Sequence, residues 1–169
     1  MKIIKLKIEN YKRGYAILEL LFYIALFSIL SLLVINAMIT MTGSFRETAI
    51  HRELVQSGGI MERMSREVRQ AYGINTISAN DLKLDTKDSD DVNKTVEFLL
   101  SGEDVEFFEN SVLTGNLNTS SIAVTNLSFT QIITAKGKAV RILLTVKSIN
   151  DALGRNQDFY DTIVLRGDY

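Results

Sequence analysis

The feature that most constrains this chain is an apolar run from Tyr15 to Met41, interrupted only by Glu19, Ser28, Ser31, Asn36 and Thr40. About 20 apolar residues suffice for a helix to cross a bilayer, so this run is long enough to span one. Its backbone must then be helical, because hydrocarbon leaves no water to bond stray N–H and C=O groups. The hydroxyls in the run can bond back to carbonyls of their own helix. Ahead of it, Lys2, Lys5, Lys7, Lys12 and Arg13 stand against Glu9 alone, a net of +4. The whole chain holds 19 basic and 20 acidic residues, so residues 15–169 keep 14 basic and 19 acidic, a net of −5. Positive charge ahead of an apolar span places the N-terminus in the cytoplasm and the bulk of the chain outside. A cleaved secretory signal is the competing reading, but its apolar core runs to only about 7–15 residues. No small-x-small site closes the run, and Asn36-Ala37-Met38 is a poor substitute.

Composition narrows the function classes. There is no cysteine, which excludes disulfides, thiolate zinc sites and a cysteine nucleophile. The one histidine, His51, excludes a multi-histidine metal centre, and no glycine-rich phosphate loop or G-x-S-x-G elbow occurs. The acidic balance beyond residue 14 offers no basic patch for nucleic acid. Proline is absent too, which removes the strongest helix breaker. The expectation is a non-enzymatic chain without cofactor or bound metal.

Glu19 is the anomaly of the apolar run. It can lie at headgroup level near the helix N-terminus, where negative charge is favoured. Deeper in the membrane, a carboxylate costs several kcal/mol unless it is paired. No side chain of this helix after Arg13 supplies that pairing. The expected partner is a positive charge on another chain, or an amine made by cutting this one.

Gly14 followed by Tyr15-Ala16-Ile17-Leu18-Glu19-Leu20-Leu21 resembles the class III signal of type IV prepilins and pseudopilins. In that family a basic leader ends in glycine, an aromatic residue follows, and glutamate stands fifth after the cut. Lys12 and Arg13 form the basic end of the leader here. The resemblance implies cleavage between Gly14 and Tyr15 by a membrane aspartic prepilin peptidase, then N-methylation of Tyr15. Glu19 would then pair with the N-terminal amine of a neighbouring subunit in a helical filament. Other pilins or pseudopilins, the peptidase and an inner-membrane assembly platform are the partners so implied. The chain departs from the family pattern in having Tyr15 where phenylalanine is commoner. It also lacks the proline many major pilins carry two-thirds along the apolar run, near Asn36, so the rod is expected to stay helical there.

Beyond Thr42 the helical period continues. Phe45, Ala49, Ile50, Leu54, Ile60, Met61, Met64, Val68, Ala71 and Tyr72 recur at three- and four-residue spacing. Arg46, Glu47, Arg52, Glu53, Glu62, Arg63, Arg66, Glu67 and Arg69 fill the other face, the pattern of an amphipathic helix laid on a sheet. Glu62 and Arg66 have the favourable i, i+4 order. Gly58-Gly59 either allows close packing or marks a bend, and packing is the preferred reading. A continuous helix over 15–72 would be roughly 87 Å long at about 1.5 Å per residue. Gly73 is the expected helix stop.

From there the period is two. Strands are expected at 76–78, 81–84, 95–100, 105–109, 122–125 with 127–134 as one long or bent strand, 140–149 and 159–166, the last three forming a meander. Ser101-Gly102-Glu103-Asp104 reads as a hairpin turn and Lys136-Gly137-Lys138 as another, with Asn150–Gln157 a loop. The acidic stretch 85–93, with Asp85, Asp88, Asp90 and Asp91, lacks the spacing of a calcium loop and reads as a solvated loop. Residues 111–120 read as a surface loop by composition.

The expected fold is therefore α+β, a long N-terminal helix packed on an antiparallel β head, pilin-like in layout. The expected organisation is a leader at 1–14, a transmembrane or filament-core helix at 15–41, its amphipathic half at 42–72, and the head at 73–169. Met64 to Ala71 and the strand start Asn126-Leu127-Ser128-Phe129 resemble the larger minor pilins and the J-type pseudopilins of type II secretion. That resemblance implies a minor, tip-type subunit. A major filament subunit, or a signal-anchored extracytoplasmic binding or adhesion domain, remains open beside it.

Overall fold

A computed structural model describes the backbone of residues 2–134 and 137–166, and side chains from Tyr15 to Ile133 and from Gly137 to Arg166. The chain divides into two compact units, residues 1–48 and 49–169. Helix α1 (Lys2–Gln56) supplies the first unit and contributes its last turns to the second.

In the first unit the helix is unbroken through Asn36, as the absence of proline predicts. Ser28 bonds the carbonyl of Ile24 at 2.8 Å and Thr40 that of Asn36 at 3.0 Å, so these hydroxyls are satisfied within the helix. Every large apolar side chain from Tyr15 to Met41 is more than half exposed. This is the one helix long and apolar enough to cross a membrane among the described residues.

In the second unit, α2 (Gly58–Gln70) follows α1 with only Ser57 between. Ser57 keeps helical angles, φ −64° and ψ −18°, while the Ile60 N–H reaches back to its carbonyl at 3.0 Å. That i→i+3 bond tightens the turn instead of ending the helix. Ala71, at ψ 142°, ends it, its N–H shared between the carbonyls of Glu67 and Val68. Gly73, the expected stop, instead opens the first strand.

Five antiparallel strands follow in sequential order: β1 (Gly73–Ile77), β2 (Asp81–Lys87), β3 (Asn93–Ser101), β4 (Asp104–Glu109) and β5 (Val112–Asn116). The second sheet is the expected meander of β6 (Ile122–Thr134), β7 (Gly137–Ser148) and β8 (Asn156–Val164). The register slips between Val124 and Asn126, a bulge that makes β6 one bent strand. The hairpin at Ser101–Asp104 turns on Gly102 at φ +66°. Lys136 lies outside the described residues, and Gly137 and Lys138 already belong to β7.

Three loop expectations are corrected. Residues 85–87 continue β2 and Asn93 opens β3, Asn156 and Gln157 already belong to β8, and residues 112–116 form an edge strand on β4. Gly115 sits there at φ +153° opposite Phe107, where the register shifts, so its glycine serves a bulge and not a loop.

Helix and sheets close on one core. Met64 and Val68 of α2 are fully buried with Leu82, Leu84, Val96 and Phe98 of the first sheet and Val140, Ile142, Leu144 and Val146 of the second. The α+β layout, a long helix packed on antiparallel sheet, is as the period change at residue 73 predicts. The stripe itself is narrower than expected: Phe45, Ala49 and Tyr72 are exposed. Glu67, expected on the solvent face, is 4% exposed because it follows Met64 by three residues and falls on the covered arc. Arg63 meets one of its oxygens at 3.1 Å and lies over the Phe107 ring at 5.1 Å. Glu53, also expected on that face, is half-buried. It accepts Ser148 Oγ at 2.6 Å and Asn150 Nδ2 at 3.2 Å. The expected Glu62–Arg66 pair is present at 3.2 Å.

Candidate functional site

Glu19 lies on the first unit's helix with its side chain directed to the next turn of the same helix. The Tyr23 hydroxyl donates to Glu19 Oε1 at 2.9 Å. Sequence reasoning missed this partner, although the i, i+4 spacing is its signal. It looked for a charge, whereas the helix supplies a neutral donor. Geometry favours the bond, since helical side chains lean toward the N-terminus and the long phenol spans the turn back to the carboxylate. Tyr23 also meets the Phe22 ring edge-on, with centroids 6.4 Å apart. Tyr15 is exposed at the head of the same face-independent apolar surface. Lys12, Arg13 and Gly14 belong to α1, but their side chains lie outside the described residues.

In the second unit many polar groups bond within the chain, but Glu67 Oε2 and Asp81 Oδ1 are buried without a partner. In the acidic β2–β3 turn, Asp88 Oδ1 accepts the backbone N–H groups of Asp90 and Val92 at 2.9 and 3.0 Å. Lys87 pairs with Asp91 at 2.8 Å. No group of three or more His, Cys, Asp or Glu side chains able to hold a metal occurs among the described residues. His51 is exposed on α1. A cleft beside this turn is lined by Gln70, Tyr72, Lys87, Asp88, Asp91 and Arg166, a mixed-charge wall without a buried polar focus.

Two carboxylates of the second unit have shifted proton affinities. Asp151 closes the β7–β8 loop by accepting Arg155 Nε at 2.8 Å and the backbone N–H groups of Leu153 and Arg155, each at 3.0 Å. The Arg155 hydrogen bond, ahead of these amides, holds its carboxyl well below the usual carboxylate range. Asp81 behaves oppositely. Burial raises its proton affinity, the Glu97 charge adds to this, and Lys83 offsets part of it. Its Oδ1 is buried without a partner.

Comparison with protein-family profiles, with characterised proteins and with solved structures returns no match. What is established is an α+β chain whose N-terminal helix is long and apolar enough to cross a membrane.

Proposed function

We propose that this chain is a structural subunit of a type IV filament, a pilus or a type II secretion pseudopilus, and not an enzyme. The observation that carries the reading is the coincidence at fixed spacing of Lys12-Arg13-Gly14, Tyr15 and Glu19 at the mouth of an apolar helix. On this reading Gly14–Tyr15 is the bond a prepilin peptidase cuts, and Tyr15 carries the amine that is methylated. The chain first sits in the cytoplasmic membrane with its β unit outside. It then enters a filament through the helix, as a minor, tip-type subunit alongside other pilins or pseudopilins. Glu19 acts as a register device. In low dielectric an unpaired carboxylate is penalised, so the favoured subunit offset is the one that brings an amine to it.

Mass spectrometry of the mature N-terminus tests the assignment. Methyl-tyrosine at residue 15 is expected, and an intact Met1 in the membrane-extracted protein overturns it. The variant Glu19→Ala is expected to insert normally yet fail to enter filaments. Equal recovery of wild type and variant from sheared filaments refutes the role of Glu19.

A further inference from the structure

The bond from Tyr23 leaves half of the Glu19 carboxylate open. Oε1 accepts the phenol at 2.9 Å, whereas an ionised carboxylate offers about four lone-pair sites across two oxygens. A second donor therefore finds Oε2 and the outer lone pairs still available. The phenol and the carboxylate also need each other, because each is polar and each lies within a run of apolar residues. A hydroxyl left without a partner in an apolar medium is penalised, as is a carboxylate.

We propose that Tyr23 is a positioning residue for Glu19, holding the carboxylate in one rotamer and turning its unused oxygen outward to the cationic donor of a neighbouring subunit. This rests on the filament reading above and adds a residue to it. A free glutamate side chain loses rotamer freedom when it pairs. One already fixed before the encounter loses less, which is how preorganisation strengthens association. The phenol has few rotatable bonds and a hydroxyl at the right reach. Phenylalanine at residue 23 would fill the same space and contact the same neighbours, so the hydroxyl is the part with a role to explain. The bond to an ionised acceptor also strengthens where water is excluded.

The test uses the full chain in the cells that make it, comparing wild type, Tyr23→Phe, Glu19→Gln and the double variant. The first readout is the ratio of chain in sheared filaments to chain in membranes. Tyr23→Phe is expected to lower that ratio about five-fold, while the double variant matches Glu19→Gln alone, because the phenol acts only through the carboxylate. The second readout is infrared spectroscopy of carboxylate-labelled chain in bilayers. There the band assigned by difference to Glu19 is expected to move when the Tyr23 hydroxyl is removed. An unmoved band overturns the proposal, as does a ratio for Tyr23→Phe equal to or above wild type, or a loss that adds to that of Glu19→Gln. If Glu19→Gln leaves the ratio unchanged, the filament role of Glu19 itself fails. A moved band then shows that the Tyr23–Glu19 pair exists without an intersubunit task, and the positioning role falls with it.

Discussion

The two glycines that open α2 make a prediction that separates packing from flexibility. A Cβ on Gly58 would stand 3.3 Å from Cε1 and 3.8 Å from Cζ of Phe159, whereas one on Gly59 would meet nothing within 4 Å. Alanine in a helix is favoured over glycine by up to about 1 kcal/mol. Gly59→Ala should collect most of that gain, since Ser57 keeps the chain helical just before it. Gly58→Ala collects the same gain but must displace the Phe159 ring by a few tenths of an ångström on an edge strand that packs on the core. Overpacking of a well-filled site costs about 1–3 kcal/mol, and a shift this small belongs at the lower end. The two variants should therefore differ by about 1 kcal/mol, or about 4 °C in Tm for a unit of this size. Gly59→Ala is expected above wild type and Gly58→Ala at or below it. Thermal unfolding of the full chain in detergent, followed by near-ultraviolet circular dichroism, reads the difference. Trimming the ring in Gly58→Ala/Phe159→Leu should recover the lost helix gain relative to Phe159→Leu alone. Equal stabilisation by both single alanines would show that the ring turns aside freely and that Gly58 is not there to admit it.

The two shifted carboxylates give pH predictions of opposite sign. Asp151 has a folded-state pKa below its unfolded value of about 3.9, so its contribution is complete above that value and is lost as pH falls below it and through the folded value. Asp151→Asn should lower stability at neutral pH and flatten the acid limb of the unfolding profile, and a profile parallel to wild type would refute this. Asp81 has a raised pKa, so its ionisation disfavours the fold as pH climbs past about 3.9, and that cost persists at neutral pH. Asp81→Asn should be more stable than wild type at pH 7, with the difference vanishing at pH 3. A destabilised Asp81→Asn at pH 7 would show that Oδ1 has a partner after all.

Much of this fold is legible in the sequence because local period and tertiary demand agree. Val140, Ile142, Leu144 and Val146 alternate in the chain and all four are fully buried. Ile50, Leu54, Ile60, Met61, Met64 and Val68 recur at helical spacing and all face the core. The misses fall where an element is specified by its neighbour and not by itself. The strand Val112–Asn116 contains a glycine and two polar residues, and it is extended because β4 offers it a ladder. Glu67 looks like surface by residue type, yet its place beside Met64 on the helix buries it, with Arg63 on one oxygen and the other left without a partner. Tyr23 was hidden for a different reason: a phenol in an apolar run counts as apolar until its hydroxyl is asked where it bonds.

The contrast between the two units is a contrast in where burial comes from. From Ile50 to Ala71 the helical stripe is covered by strands of the same chain, so the energy that holds it is internal. From Tyr15 to Met41 no stripe exists: apolar side chains point in every direction around the helix and all the large ones are exposed. A surface of that kind does not persist in water, because apolar area left exposed costs about 25 cal/mol per Å². Nothing within the first unit covers it, and lipid and neighbouring helices are two media that surround a helix on all sides. They differ in what they do to Glu19. Lipid leaves the carboxylate to Tyr23 alone, while a bundle of like helices can bring a cation to the oxygen Tyr23 leaves open. The single charged residue in 27 therefore distinguishes two environments that the remaining apolar side chains cannot tell apart.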